Sequence, residues 1–579
     1  MKKMLSLFLS FSLSVTLLSG LTSCIRKTPS QTTGSSSVAT TAPPPSGEIP
    51  DVPVVPTAPD IGKDFFIQVN EEWCELRYRQ NDAWNEDTLT IPAYYQGYPV
   101  KAIGVAALRD ITNLKTVILP DTMRIIGVNV FKGCNQIEYN FHGGALYLGT
   151  QTNPYFALIR AENKEITSCE FHPDTKIVAE NAFEDCTSLQ SVTLNDELIY
   201  LGENAFLNCN QIQYTEYQDS FYLGSATNPY FSLVKRKESG ASKCVLHADT
   251  KRIESGAFSQ REISSIAFPQ GLRFIATNAF NSATGNFDVT IPDGVCVESR
   301  AFYSARIHSI TISKNADLQA YALRSTFVQT ATFEEGCSKV SPGLFYGSFS
   351  LTSVHLPESM LHIGNAAFRQ CSKLQNIDLP SKLISLGKEA FLSCSAITAV
   401  TFPTTLTEIG SYAFSDCDGL TSLYLPEHIT QIGENAFSYC DRLKSIIIDA
   451  HITVLSHSIL ENSKELETLQ LPGTLKKIDS YALAQCTKLK IITVPEGVTE
   501  IGKGAFSSCR SLKAINLPRS LQKIGEGAFS WGSHLVFTAT ITYPGTAQEF
   551  ARIQKLSTSF NGKLDYMKNV IYNADPIID

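Results

Sequence analysis

Fifteen cysteines are the residues most able to do chemistry in this chain of 579 residues. In an oxidising compartment thiols form disulfides, and in close groups with histidine they bind zinc. Nine of them, Cys134, Cys186, Cys209, Cys371, Cys394, Cys417, Cys440, Cys486 and Cys509, each follow a large apolar residue by three positions. Free cysteine is a small hydrophobe that suits a buried row, so reduced core thiols are expected. Disulfides between neighbouring turns of the chain are the alternative, because such turns can approach the Cα separation a disulfide needs. No C-x-x-C pair and no clustered histidines occur, which argues against a metal site.

Other motifs fall short of catalysis. Gly502-Lys503-Gly504 and Gly525-Glu526-Gly527 begin like dinucleotide fingerprints but lack the third glycine and the βαβ context. Asp416-Cys417-Asp418-Gly419 starts like a calcium loop, yet the same place in the pattern reads Cys371-Ser372-Lys373 and Cys509-Arg510-Ser511 elsewhere. There is no H-E-x-x-H, G-x-S-x-G or P-loop. No catalytic residue, cofactor or metal is assigned, and the chain is read as a non-enzyme.

The elements that position the cysteines repeat. Phe345, Phe368, Phe391, Phe414, Phe437, Leu460, Leu483, Phe506 and Phe529 follow one another at a fixed spacing of 23 residues. Around them runs the frame L-x-x-V-x-L-P-x-x-L-x-x-I-G-x-x-A-F-x-x-C-x-x-L. A period between about 20 and 29 residues is the signature of a leucine-rich solenoid, whose units cannot bury their apolar faces alone. Leu420, Leu423 and Leu425 alternate inward as in a half-buried strand, with Ser422 and Tyr424 outward. Pro426 ends that strand because it has no N–H to donate. Ile432 and Gly433 are expected to make a corner where a residue without Cβ turns freely. Ala436, Phe437 and Cys440 fill the interior from the other side. Traced backwards through Leu323, Phe302, Phe280, Phe258, Phe206, Phe183, Phe131 and Leu108, the frame gives a mainly β repeat solenoid, a leucine-rich repeat of about 17 coils with one strand face and a cap at each end.

Two intervals, Phe131 to Phe183 and Phe206 to Phe258, are each 52 residues, one coil plus 29. These insertions, near 137–165 and 212–240, resemble each other at an offset of 75 residues: Asn153-Pro154-Tyr155-Phe156 returns as Asn228-Pro229-Tyr230-Phe231, Cys169 as Cys244 and His172 as His247. Each is expected to be a hairpin packed on the coils, with a ligand-binding projection as the alternative.

Residues 1–23 read as a secretory leader, with Lys2 and Lys3 before an apolar run from Leu5 to Leu18 that is too short to span a bilayer. Leu21-Thr22-Ser23-Cys24 resembles the bacterial lipoprotein box, which implies lipidation of Cys24 and membrane attachment through that anchor only; an ordinary leader with an incidental cysteine is the alternative. Residues 24–59 form a Ser/Thr/Pro-rich tether. Residues 60–105 read as an N-terminal cap, 106–531 as the solenoid and 532–579 as a C-terminal cap and tail.

With its A-F-x-x-C coils and L-P strand ends, the Ile91 to Val100 segment I-P-x-x-x-x-G-x-P-V, the N-P-Y insertions and the closing Ile541 to Thr546, the chain resembles the BspA-like family of leucine-rich repeat bacterial surface proteins over roughly 85–555. The resemblance implies an exported, surface-exposed adhesin that binds an extracellular protein or glycan, without naming the ligand. A structural envelope protein that self-associates through its solenoid is the other reading. A net charge of −8 and a pI near 5.8 give no basic stripe, so nucleic acid is not an expected partner.

The expected binding face is the outward row of the strands, His355, Asp378, Thr401, Tyr424, Ile447, Gln470, Thr493 and Asn516, which varies in character at the 23-residue spacing while its inward neighbours do not. Of these, all but Ile447 are taken as ligand-binding residues. Tyr424 stands out because a tyrosine offers large contact area with a polar tip.

Overall fold

The computed structural model describes residues 65–69, 73–79, 86–238, 242–530, 538–555 and 570–578. All of these belong to the larger of two units, 58–579, so the leader, Cys24 and the tether lie outside the described residues.

One coil shows how the frame folds. Ser422–Leu425 is a strand in which Leu423 and Leu425 are buried while Ser422 and Tyr424 are exposed. Gln431–Ile432 is a second, two-residue strand with Ile432 turned inward. The chain then passes through the turn that holds Ala436, Phe437 and Cys440, all fully buried. Three ladders bind this coil to its neighbours. On the long-strand side Tyr424 lies opposite Ile447 in a parallel pair, and on the short-strand side Glu408 lies opposite Gln431. Around the turn the N–H groups of Tyr412, Phe414 and Asp416 donate to the carbonyls of Glu434, Ala436 and Ser438, each at 2.9 Å. The sequence frame implies one strand face, and the structure has two strand ladders and a turn ladder. The short ladder escapes a periodicity reading because two residues are too few to alternate.

Inside the coil the anchor phenylalanines form a column. Phe345, Phe368, Phe391, Phe414 and Phe437 stack with successive centroid distances of 5.5, 5.2, 5.2 and 5.7 Å. The cysteine row runs beside it, and each thiol donates to a carbonyl of the coil before: Cys371 to Phe345 at 3.2 Å, Cys394 to Phe368 at 3.0 Å, Cys417 to Phe391 at 3.2 Å and Cys509 to Leu483 at 3.1 Å. All the described cysteines are free, and all but the half-buried Cys296 are buried. Gly433 differs from expectation, since it is not among the positive-φ residues. A Cβ there would sit 2.3 Å from the Ser411 nitrogen, so glycine is required by close approach of the coils and not by a turn.

At the N-terminal end Phe65–Val69 pairs antiparallel with Cys74–Arg79, which pairs parallel with Tyr98–Ile103 and starts the stack. Tyr94–Tyr95 folds back on Tyr98–Ile103 through Gln96 and Gly97, both at positive φ, as a two-residue hairpin turn needs. At the other end Thr540–Tyr543 and Gln554–Lys555 extend the long and short ladders past Phe529, and Val570–Tyr572 adds one more rung. Between them lies the helix Ala547–Arg552, whose N-terminus is closed by a capping box of Thr546 and Glu549.

Each insertion is a hairpin with a third strand. Asn140–His142 pairs antiparallel with Ala145–Leu148, which pairs antiparallel with Ala157–Ala161. Ala157 and Leu158 then lie opposite Ile177 and Val178, so this last strand becomes a rung of the short ladder. The second insertion repeats this with Ser232–Arg236 beside Arg252 and Ile253. The N-P-Y motif fastens the insertion to the following coil. Asn153 and Asn228 donate through Nδ2 to the carbonyls of Asp174 and Asp249 at 2.8 and 2.7 Å, and Tyr155 and Tyr230 stack on His172 and His247 at 3.8 and 3.7 Å.

The insertions also divide the interior. Buried apolar residues fall into three clusters, running from Phe65 to Tyr200, from Ala145 to Phe231 and from Tyr222 to Ile553. At the first junction Glu180 N donates to Ile126 O at 2.9 Å across the inserted rung. At the second, the fully buried Arg252 takes that place: its guanidinium donates to the carbonyl of Ile199 at 2.6 Å and to Glu254 Oε1 at 2.8 Å.

Candidate functional site

The outward residues of the long strands are the side chains a partner could read. His355 ends Ser353–His355, Tyr424 and Ile447 sit side by side on paired strands, and Gln470 and Thr493 end Thr468–Gln470 and Ile491–Thr493. All of these are exposed, as are Asp378 and Thr401. Tyr424 is 53% exposed and Ile447 43%, which makes them the largest apolar surfaces on the row.

Asn516 is a correction. It is only 3% exposed, because the C-terminal tail lies over it. Its Nδ2 donates to Thr493 Oγ1 and to Ile577 O, each at 2.9 Å, while its Oδ1 accepts from Thr542 Oγ1 at 2.7 Å and from Ile577 N at 3.0 Å. A side chain with its amide satisfied on both sides has nothing left for a ligand. The exposed row therefore ends at Thr493.

The row is also not one continuous sheet. Long strands pair from Phe287–Ile291 to Ser353–His355, from Ser422–Leu425 to Thr468–Gln470, and from Ile491–Thr493 onward. At Asp378 and Thr401 the chain keeps the frame without forming a long strand. The short ladder runs unbroken from Lys339–Val340 to Gln431–Ile432 across that gap, and the turn bonds continue too, with Phe368 N donating to Ala390 O and Phe391 N to Ala413 O, both at 2.8 Å. Coils held on two sides part on the third.

Residues missed in the sequence extend the row. Thr290, Thr311 and Thr332 precede His355 in register; the 21- and 22-residue coils in that stretch throw the count off. Asp449 is the other. It accepts from Gln470 Nε2 at 3.3 Å, and its interaction with the Tyr424 hydroxyl pushes that phenol above its ordinary pKa. It therefore ties Tyr424 and Gln470 into one polar group beside Ile447. Its signal in the sequence is faint, since it stands one place beyond the strand's last inward residue. Among the described residues no group of three or more His, Cys, Asp or Glu is placed to hold a metal ion, and no helix is long and apolar enough to cross a membrane.

The profile of the BspA type leucine rich repeat region matches residues 87–152, 161–233, 237–352, 338–467 and 456–552. The chain belongs to that family. The BspA-type repeats thus cover nearly the whole described solenoid, with short gaps at 153–160 and 234–236 inside the two insertions. Among solved structures the BspA-type chain is similar to a leucine-rich repeat protein from Bacteroides ovatus, at 19% identity over 88% of this chain and 98% of that one, with a TM-score of 0.37. It is also similar to a leucine rich cell surface protein from Faecalibacterium prausnitzii, at 20% identity over 88% and 99% with a TM-score of 0.28, and to the pneumococcal vaccine antigen PcpA, at 13% over 89% and 96% with a TM-score of 0.20. No curated protein matches the chain.

Proposed function

We propose that this protein is a non-enzymatic, surface-exposed binder that is exported, lipid-anchored at Cys24 and engages an extracellular protein or glycan through the outward row of its long strands. The observation that carries the reading is the group at Tyr424, Ile447, Gln470 and Asp449: two large exposed surfaces and a bonded polar pair on strands whose inward residues Leu423, Leu425, Ile446 and Ile448 are all buried. An exposed apolar contact rimmed by oriented polar groups is the make-up of a binding hot spot. A stack whose outward row varies more than its apolar core supports the same reading, because it can change its ligand without rebuilding that core.

The test is capture of immobilised extracellular matrix proteins and glycans by the purified chain. Where a ligand is captured, Tyr424→Ala with Gln470→Ala weakens capture by at least about fivefold, near 1 kcal/mol, with an unchanged melting transition. Matched changes at Asp416 and Asp441 on the turn side leave it as it was. Loss of capture with the turn-side pair alone moves the binding face to that side. Self-association at micromolar concentration with no capture favours the envelope-protein reading instead.

The anchor has its own test. Cys24→Ala removes the thiol that lipidation requires, so the protein appears in the medium or stalls as unprocessed precursor. Unchanged membrane retention after a carbonate wash rejects the anchor.

A further inference from the structure

The first insertion leaves a ladder unfinished. In a regular coil every second N–H of the turn donates to the next coil, as Asn181, Phe183 and Asp185 do to Glu203, Ala205 and Leu207 at 3.1, 2.7 and 2.9 Å. The preceding turn, which holds Asn129, Phe131 and Gly133, has no such neighbour. The strand Ala157–Ala161 occupies the short ladder, but the chain then leaves without making an A-F turn. Among the described residues the N–H groups of Asn129, Phe131 and Gly133 donate to nothing.

The space of the missing turn is a wedge of about 540 Å³, walled by 126–135 on one side, 159–164 on another and 179–184 on the third. It is closed at its narrow end by the bond from Glu180 N to Ile126 O. The third wall offers little to an occupant. Its carbonyls at Ala182 and Glu184 already accept from Ala161 N and Lys164 Nζ. What remains is a row of three donors at two-residue spacing that lacks acceptors. Backbone carbonyls recur at that spacing in a peptide chain. The volume lies within the roughly 300–1,000 Å³ usual for ligand sites. The same open edge returns at the second insertion, where Asn204, Phe206 and Asn208 donate to nothing among the described residues.

We propose that this wedge binds a short peptide segment of a partner protein, whose alternate carbonyls accept from Asn129, Phe131 and Gly133 and so supply the absent rung. This is strand addition transferred to a turn ladder. The site shares no residue with the outward strand row, so it stands or falls apart from the function proposed above.

The probe is a fluorescent peptide with the sequence of residues 430–442 of this chain, serine replacing Cys440, since that segment makes a regular turn rung. A scrambled peptide is the control. The full-length chain binds the probe saturably, the backbone amides of 129–133 exchange more slowly in its presence, and Asn135→Trp or Asn163→Trp, both at exposed positions lining the wedge, weakens binding by about tenfold with the melting transition unchanged. No saturable binding up to about 1 mM, equal binding of the scrambled peptide, or binding that leaves the amides of 129–133 unprotected overturns the proposal.

Discussion

The thiol of Cys440 and the hydroxyl of Ser463 make the same bond one coil apart, to the carbonyls of Phe414 and Phe437, each at 3.3 Å. Ser348 does likewise to Leu323 at 3.2 Å. The position thus selects a small donor, and sulfur is one way to supply it. Cys440→Ser is expected to change stability by no more than about 1 kcal/mol, whereas Cys440→Leu, which overfills a closed interior, costs about 1–3 kcal/mol in denaturant unfolding. Burial pushes the thiols of Cys440 and Cys509 up to about 12, so they stay protonated and unreactive at neutral pH. A disulfide reagent at pH 8 should find few of the fourteen described cysteines in the native protein and all of them after denaturation; a count near zero after denaturation means disulfides. At this scale the spacing after each anchor is enough to place the sulfur inside. It says nothing of the carbonyl it meets, because that partner lies one coil back and outside any local pattern. Asn516 fails for the same reason: what covers it comes from Ile577.

Among elements, the two insertions are one design with one divergence. Where the first block has Ile177 and Ala179, both buried, the second has Arg252 and Glu254, both buried and paired. Removing one member of a buried pair leaves the other charge uncompensated, at a cost of about 3–5 kcal/mol. Arg252→Ile alone should therefore destabilise strongly, while Arg252→Ile with Glu254→Ala, which copies the first block, should recover most of the loss in thermal unfolding. No recovery would mean that the apolar version does not fit the second junction. Nearby, burial pushes the Glu298 carboxyl from its ordinary range up to about 7, against the opposing pull of Arg252 and of the Thr277 N–H. The folded value lies above the unfolded one, so folding takes up a proton between them. Stability falls as pH rises from the unfolded value, about 4.3, to about 7, and then levels off. Glu298→Gln, which cannot ionise, should flatten that part of the pH profile of the melting temperature. The hairpins and their duplication are legible in the sequence because N-P-Y and the shared offset are local. The junctions are not, since a spacing of 52 residues looks like one long coil whichever way the sections abut.

On the scale of the whole molecule, a strict period reveals a stack and nearly every inward side chain in it. It does not reveal that the stack is cut. The sections are joined by few hydrogen bonds, such as the backbone bond from Glu180 to Ile126 and the side-chain bond from the Arg252 guanidinium to the Ile199 carbonyl, and each keeps its own apolar cluster. A repeat protein holds together by nearest-neighbour contacts, so cooperativity passes easily along an uninterrupted run of coils and poorly across a junction. Heat or urea should then remove this protein in parts. The amides between Ile253 and Ile541, inside the longest cluster, should resist exchange under conditions where those from Val100 to Phe183 already open, and calorimetry should show more than one transition. A single two-state melt would mean that the junctions transmit cooperativity after all. In the language of machines the insertions are fuses: damage at the end nearest the proposed anchor stops at the first of them, and the coils beyond go on presenting Tyr424 and its neighbours.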